Sequence, residues 1–474
     1  MAFFWSTKKE RPNREKPPLG HKQNQDEPGK RGTSMNKSIV AIVRYESPLE
    51  SVRKAVGLSH GLDHLPPNPK VFIKPNLVYW TKAVPFPKWG VITTSRVVGD
   101  MVVLLKERGV DDITIGEGIV TKSPKDTETP AHAFETLGYN VLKKRYGVKS
   151  IDVFERPFEK VDLGAGVVLN FNTDILHSDF VVDLPVLKTH AQAVVSLAIK
   201  NLKGMIDINS RKKCHSADPE KDLNYHIARL ANKLPPSFTL LDGIYTIERG
   251  PGYNGRARRS NILVASSDIL SADMVGAKVL GYDPSEVQYL VHAARDRGRP
   301  LDFSDMEVVG EKIEEVASHH EYAFPYNEEG TLPRPMEKMG IKGLAYPKYD
   351  LSICTYCSAL TGVILFAIAQ AWKGEPWDNV EVLTGKAMKP TPDKKKTILI
   401  GKCMYEANRD HADIQEMIAV KGCPPAPKSV VKALHRAGIE VNPAIFENMD
   451  KAPGFFMGKY EEKPEFEEAL FAVT

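Results

Sequence analysis

The sequence predicts an α/β protein: a mostly parallel sheet with flanking helices, plus a smaller C-terminal α/β region that is rich in cysteine and suited to bind a cluster. Three observations lead there. From about residue 37 to 300, short apolar runs alternate with helix-period stretches, the βαβ rhythm of a parallel sheet covered by helices. Several of those runs leave through Pro or Gly. Four of the five cysteines, Cys354, Cys357, Cys403 and Cys423, then fall in one C-terminal window.

The elements follow in order. SIVAIV (38–43) and KVFI (70–73) read as buried strands. Thr94 or Ser95 caps a helix that gathers Val97, Val98, Met101, Val102 and Leu105 on one side, and Gly109 ends it. DITIGEG (112–118) is a strand running into a turn; SDFVVDLPVL (178–187) and FTLLDGI (238–244) are further strands. LSADMVGAKVLG (270–281) closes the series as a helix. Residues 35–300 thus form one α/β domain. Residues 301–346, charged and rich in Gly, Pro and Glu, read as a connector. The four-cysteine domain spans 347–455, with a CxxC turn, an apolar helix over 359–372, strands over 380–384 and 397–401, and a helix near 428–437. Residues 456–474 read as a C-terminal tail.

A length of 474 residues suits two or three domains, and 42% hydrophobic with 26% charged residues is ordinary for a globular chain. The net charge is +4. Residues 1–34 hold eight Lys/Arg against four Asp/Glu, which is +4 by themselves, so the rest is close to neutral. That excludes a broadly basic nucleic-acid surface. Residues 1–34 read as a disordered basic tail. MAFFWS is too short for a signal h-region and precedes the charges, and Met35 competes with Met1 as the start. The longest apolar run, Leu360 to Trp372, is too short to span a bilayer. A cytoplasmic protein without a disulfide framework or membrane span is expected.

The cysteines carry the clearest chemistry. Two residues separate Cys354 from Cys357, which lets a turn aim both sulfurs at one centre. Cys403 and Cys423 stand alone, each just after a glycine-containing strand exit, GKC (401–403) and KGC (421–423). Structural zinc commonly uses two close pairs, and only one exists here. Four thiolates suit a [4Fe–4S] cube, whose ligands need not be paired. Zinc is the alternative, and unrelated buried thiols or a redox pair the third reading.

In parallel sheets the ligand sits beyond the carboxyl ends of the strands. The exits are KPNLV (74–78), GEG (116–118), PVLKTH (185–190) and DGI (242–244). They offer Lys74, Asn76, Lys188 and His190, and AIKNLKG adds Lys200, Asn201 and Lys203. Lysines there bind a carboxylate or phosphate as point charges. His190 suits a general acid or base, and His215 lines the same cleft. Solvated surface lysines are the bland alternative. Cys214 reads as an idle buried thiol. Asp242, Glu248, Asp268 and Asp273 are possible partners, although turn and cap roles explain Asp242 and Asp268 as well. GPGYNG (250–255) lacks the spacing of a dinucleotide fingerprint, and no Walker A, HExxH or GxSxG is present.

VFIKPNLV, DITIGEG, FVVDLPVLKTH, AIKNLKGMI, the His215 region, LLDGI, GPGYNG and SSDILSADMVGAKVLG occur in the order of the DUF362 domain family, which the chain resembles over roughly 38–300. The resemblance implies an association with [4Fe–4S] modules. The usual module resembles a bacterial ferredoxin with CxxCxxCxxxCP runs, and this chain has none. Its GCPP turn resembles those near cluster ligands in hydrogenase small subunits. The resulting expectation is an iron–sulfur redox protein that relays electrons to, or reduces, a small anionic substrate. Lys188, His190 and His215 would be catalytic, and Lys74, Asn76, Lys200 and Asn201 would bind the substrate. A ferredoxin or flavoprotein would be the electron partner. The alternatives are a binding or scaffold module with structural zinc, and a non-redox ligase or hydrolase acting on an anionic substrate.

Overall fold

A computed structural model describes residues 37–121 and 126–473. The expectations for residues 1–34 and for the start at Met35 lie outside these residues. The first strands are β1 (Ser38–Arg44), β2 (Lys70–Pro75), β3 (Asp112–Glu117) and β4 (Lys149–Asp152). An antiparallel pair follows, β5 (Phe158–Asp162) with β6 (Val168–Asn172). Then come β7 (Phe180–Leu184), β8 (Val186–His190), β9 (Val194–Ser196), β10 (Ser237–Glu248), β11 (Arg256–Ser266) and β12 (Met306–Gly310). The main sheet has the order β12-β1-β11-β10-β7-β2-β3-β4, with β8 and β9 extending from β10. From β10 to β4 every neighbour is parallel, while β11 runs antiparallel to both β1 and β10. The sheet is therefore mostly parallel, and it crowds the carboxyl ends of β2, β3, β7 and β8 together.

Local chemistry explains the elements. Pro185 offers no N–H to a ladder, so the run expected over 178–187 breaks into two strands. β7 pairs with β2 and the start of β10, and β8 pairs further along β10. The helix Ser95–Glu107 follows Thr94, whose hydroxyl donates to Asp242 Oδ2 at 2.9 Å while its N–H donates to the same oxygen at 2.7 Å. Asp242 is thereby consumed in fixing this helix to β10. Asp268 caps the helix Ile269–Val279 by accepting the Ser271 N–H at 2.7 Å. Glu248 pairs with Arg256 and Arg258. Apolar cores lie on both faces of the sheet, one around Val52, Val97, Met101 and Phe134, the other around Leu197, Met205, Met274 and Leu290.

The stretch 301–346, read from sequence as a connector, supplies β12 at the sheet edge, parallel to β1. It also supplies His320, which is buried and accepts from the Thr246 hydroxyl at 2.7 Å. The C-terminal stretch straps the main sheet. Tyr460, Leu470 and Phe471 are buried in the same core as Trp89 and Tyr245. The Tyr245 hydroxyl donates to Glu465 O and accepts the Glu467 N–H, both at 2.8 Å.

The second sheet is β13 (Leu344–Ala345), β14 (Val380–Leu383), β15 (Lys396–Ile400) and β16 (Glu416–Val420), all parallel and in that order. The helix Thr355–Ala371 covers it with Leu360, Ile364, Ala367 and Ile368. This helix begins four residues before the expected 359 because Cys354 is its N-cap residue. The CxxC is the first turn of a helix, not a free turn.

Candidate functional site: a cationic crevice facing four cysteines

At the carboxyl ends of the main sheet lies a buried polar network. Lys74, at the end of β2, donates from Nζ to Glu117 Oε2 at 2.7 Å, to Pro75 O at 2.6 Å and to Asn201 Oδ1 at 3.1 Å. Glu117, at the end of β3, also accepts the N–H groups of Leu77 and Gly118. Asn201 Nδ2 donates to Asp183 Oδ1 at 2.7 Å, and Asn76 Nδ2 donates to Asn201 Oδ1 at 2.9 Å. Lys188 Nζ donates to Asn76 Oδ1 and to Val91 O, both at 2.6 Å. The structure thus brings Lys74, Asn76, Lys188 and Asn201 together, but as an internal scaffold. Lys74 is 0% exposed and Lys188 is 1% exposed, so neither ammonium reaches a substrate directly. Burial pushes Lys188 down to about 7, and Glu117 opposes that shift. Burial also pushes the Asp183 carboxyl up to about 8 against Lys74 and Asn201, and its Oδ2 has no partner. The network is tight: a Cβ on Gly204 would stand 2.2 Å from Glu117 Oε1 and 2.7 Å from Lys74 Cε. The glycine of AIKNLKG is required by that approach.

Beside this scaffold, His190, Lys200, Lys203 and His215 form a cluster. Asp273 fixes it from below, accepting the N–H groups of Ala198 at 2.7 Å and Ile199 at 3.1 Å, and so holding the turn Ala198–Asn201 in place. Hydrogen bonding sets both imidazole tautomers. His190 Nδ1 accepts from the N–H groups of Gln192 and Ala193, so its proton sits on Nε2. His215 Nδ1 faces Leu351 O at 3.1 Å; a carbonyl only accepts, so Nδ1 carries the proton. His215 Nε2 then accepts from Lys203 Nζ at 2.5 Å. Burial and the neighbouring lysines hold both rings well below the usual histidine range. They are neutral, so the expectation that either supplies a proton as an imidazolium is replaced: His190 offers an Nε2–H donor and His215 an acceptor. Lys203, pushed down by burial to about 8, is the better acid. Burial and the charges of Lys203 and Lys188 hold Lys200 well below the usual lysine range. Cys214 is wholly buried in the second core, where burial raises its thiol.

All four remaining cysteines lie at the carboxyl edge of the second sheet. Cys354 follows β13 at the helix N-terminus, Cys403 follows β15 and Cys423 follows β16. The Cys354 thiol is lowered to about 5 by the Cys357 thiol, by the N–H groups of Cys357 and Tyr356, and by Lys386; Cys357 is raised in return. Lys402 N–H donates to Gly422 O at 3.1 Å, tying the two single-cysteine exits together. Gly401, at φ 95°, closes on the pair, since a Cβ there would be 3.4 Å from Cys357 Sγ. Cys403 and Cys423 lie near enough for their charges to help raise Cys357. In donor type, four thiols suit an iron–sulfur cluster. Among the described residues, no group of three or more His, Cys, Asp or Glu side chains is arranged to hold a metal ion.

The two carboxyl edges meet. Gln192 Nε2 donates to Asp350 O at 3.0 Å and to Ile353 O at 3.2 Å. Leu351 O is the carbonyl on His215. From the other side, Lys386 Nζ donates to His215 O at 2.5 Å and to Lys212 O at 2.8 Å. The segment that leads into Cys354 is therefore bonded onto this cluster. Sequence reasoning passed over Lys386 and Glu117, although both sit at strand exits of the kind it inspected, TGK (384–386) and GEG (116–118).

Residues 71–278 match a family model described as a domain of unknown function, DUF362. The chain carries a DUF362 domain. A thylakoid-associated protein of Synechocystis is 27% identical over 266 residues, which are 55% of this chain and 78% of that protein. Among solved structures, the lactate racemase apoprotein of Thermoanaerobacterium thermosaccharolyticum is similar at 15% identity and a TM-score of 0.30, over 51% of this chain and 57% of that one. The DUF362 domain holds the scaffold and the Lys/His cluster, whereas Cys354, Cys357, Cys403 and Cys423 lie beyond the matched residues. Among the described residues, no helix is long and apolar enough to cross a membrane.

Proposed function

We propose that this protein is an iron–sulfur redox protein that passes electrons to a small anionic substrate in the crevice of His190, Lys200, Lys203 and His215. The observation that carries this reading is the junction: the segment 350–353, just before Cys354, is hydrogen-bonded onto Gln192 and His215. Cys354, Cys357, Cys403 and Cys423 would hold a [4Fe–4S] cluster, which supplies single electrons.

The chain's own residues do the rest. Lys203, with Lys200 beside it, attracts the anion into a largely buried site, where its charge acts strongly. His190 Nε2–H has no acceptor among the described residues and donates to an oxygen that gains charge, as a neutral imidazole can. Lys203 Nζ, near 8, is protonated at neutral pH and delivers a proton, with His215 Nε2 holding its orientation. The electron partner would be a ferredoxin or flavoprotein. The cytoplasm suits the free thiols; cell fractionation would reveal instead the membrane-surface location that the Synechocystis relative's name suggests.

Anaerobic purification with iron, sulfide and zinc analysis, followed by EPR after reduction, tests the reading. About four iron and four sulfide per chain are expected. One zinc without labile sulfide would sink it in favour of a structural zinc module. Turnover that survives Cys403→Ser but not Lys203→Gln would point to a non-redox ligase or hydrolase.

A further inference from the structure

Lys200 differs from every other cation around it. Lys74 is paired with Glu117, Lys188 is fixed between Asn76 and Val91 O, Lys203 donates to His215, and Lys386 donates to two carbonyls. Lys200 makes no hydrogen bond and no ion pair with any described residue, yet it keeps part of its surface accessible. The groups that face it are Lys203, Lys188, His190, His215 and Cys214. No carboxylate is among these groups, and Asp273, bonded to the turn that carries Lys200, is occupied by the N–H groups of Ala198 and Ile199. An ammonium there loses water and meets like charge, the two effects that turn a lysine into a neutral amine nucleophile. Asp273 anchors the turn that carries Lys200, so the backbone from which the amine extends is held in place.

We propose that Lys200 is a nucleophile that forms a Schiff base with a small carboxylate-bearing carbonyl compound, an aldehyde acid or 2-oxo acid. This deepens the proposed function and rests on its reading of the crevice as an anion site. In the step, the Nζ lone pair forms a C–N bond to the carbonyl carbon, and the carbonyl π pair moves to oxygen, which takes a proton. The carbinolamine then loses water, and the nitrogen keeps one proton as an iminium. The sum is amine, carbonyl and one proton giving iminium and water, with no change of oxidation state. Lys203 receives the carboxylate and is the source of the proton.

The test uses the full chain with glyoxylate and cyanoborohydride near neutral pH, and maps carboxymethyl-lysine by peptide mass. Lys200 is expected to be modified ahead of the exposed lysines. Glyoxylate should exceed acetaldehyde, which has no carboxylate, by at least about tenfold at this residue, the worth of one partly buried charge pair. Lys203→Gln should reduce that preference while Lys200 remains reactive, and Lys200→Arg, checked for folding by circular dichroism, should leave only surface labelling. Modification of Lys200 no faster than of exposed lysines, or equal labelling by the two aldehydes, would overturn the proposal. Metal analysis separates this outcome from the redox reading. A chain without iron and sulfide that still traps glyoxylate keeps this inference and loses that one; a chain with a cluster and no trapping does the reverse.

Discussion

Lys74 and Glu117 form a fully buried ion pair at 2.7 Å, and each also bonds neutral groups. Such a pair is weak evidence for stability, but breaking it strands a charge. Lys74→Met should cost roughly 3–5 kcal/mol, because Glu117 would stay buried without its cation; urea unfolding measures this. Asp183 gives a pH signature. Its folded value, near 8, lies above the unfolded one, so the stability of its protonated form is fully present below about 4 and is lost as pH rises through 8. Asp183→Asn cannot titrate. Its melting temperature relative to the wild type should therefore rise between pH 6 and pH 9; a constant difference would contradict a protonated Asp183. At this scale the sequence located the residues but not their direction. Lys74, Asn76, Lys188 and Asn201 were legible as strand exits. That they point inward depends on Glu117 and Asp183, which arrive from other strands and carry no local sign of the pairing.

Elements were legible where one short pattern decides them. β1, β2, β3 and the helices Ser95–Glu107 and Ile269–Val279 fall close to their expected bounds. Pro185 was read as an exit, and it is a break between two strands that share β10 as partner. β16, a run of five residues in EMIAV, has too little length to announce itself. The helix at the CxxC began early because a thiol can stand at an N-cap, where N–H groups stabilise the thiolate. The turn Ala198–Asn201 and the 3₁₀ turn Leu202–Met205 after it must approach β2 and β3 without a side chain between them. Gly204→Ala should cost roughly 1–3 kcal/mol from overpacking against Glu117 and Lys74. Chemical denaturation reads the loss, and a variant as stable as the wild type would show that the network yields.

The described residues join a mostly parallel sheet to a smaller parallel one near their carboxyl edges, and this arrangement was not legible. The sequence put a Lys/His cleft in one half and cysteines in the other, and the contacts between them are mostly backbone carbonyls of residues 350–353, which have no residue signature. The stretch 301–346 read as a connector and 456–474 as a tail, yet the first adds β12 and the second buries Tyr460, Leu470 and Phe471. Removing residues 456–474 should cost roughly 5 kcal/mol, at about 1.5–3 kcal/mol for each large apolar side chain returned to water. Thermal melts would show a large fall or insolubility; an unchanged melting temperature would mean that the strap contributes nothing.

That strap has a consequence for synthesis. Residues 456–473 are made after every strand of both sheets. Until they emerge from the ribosome, the patch around Trp89 and Tyr245 lacks Tyr460, Phe466 and Phe471 as cover. The half of the protein that is translated first is therefore completed last. A nascent chain carries an open aromatic surface from the synthesis of β10 until residues 456–473 are made, and folding helpers that recognise such surfaces have that window on the main sheet.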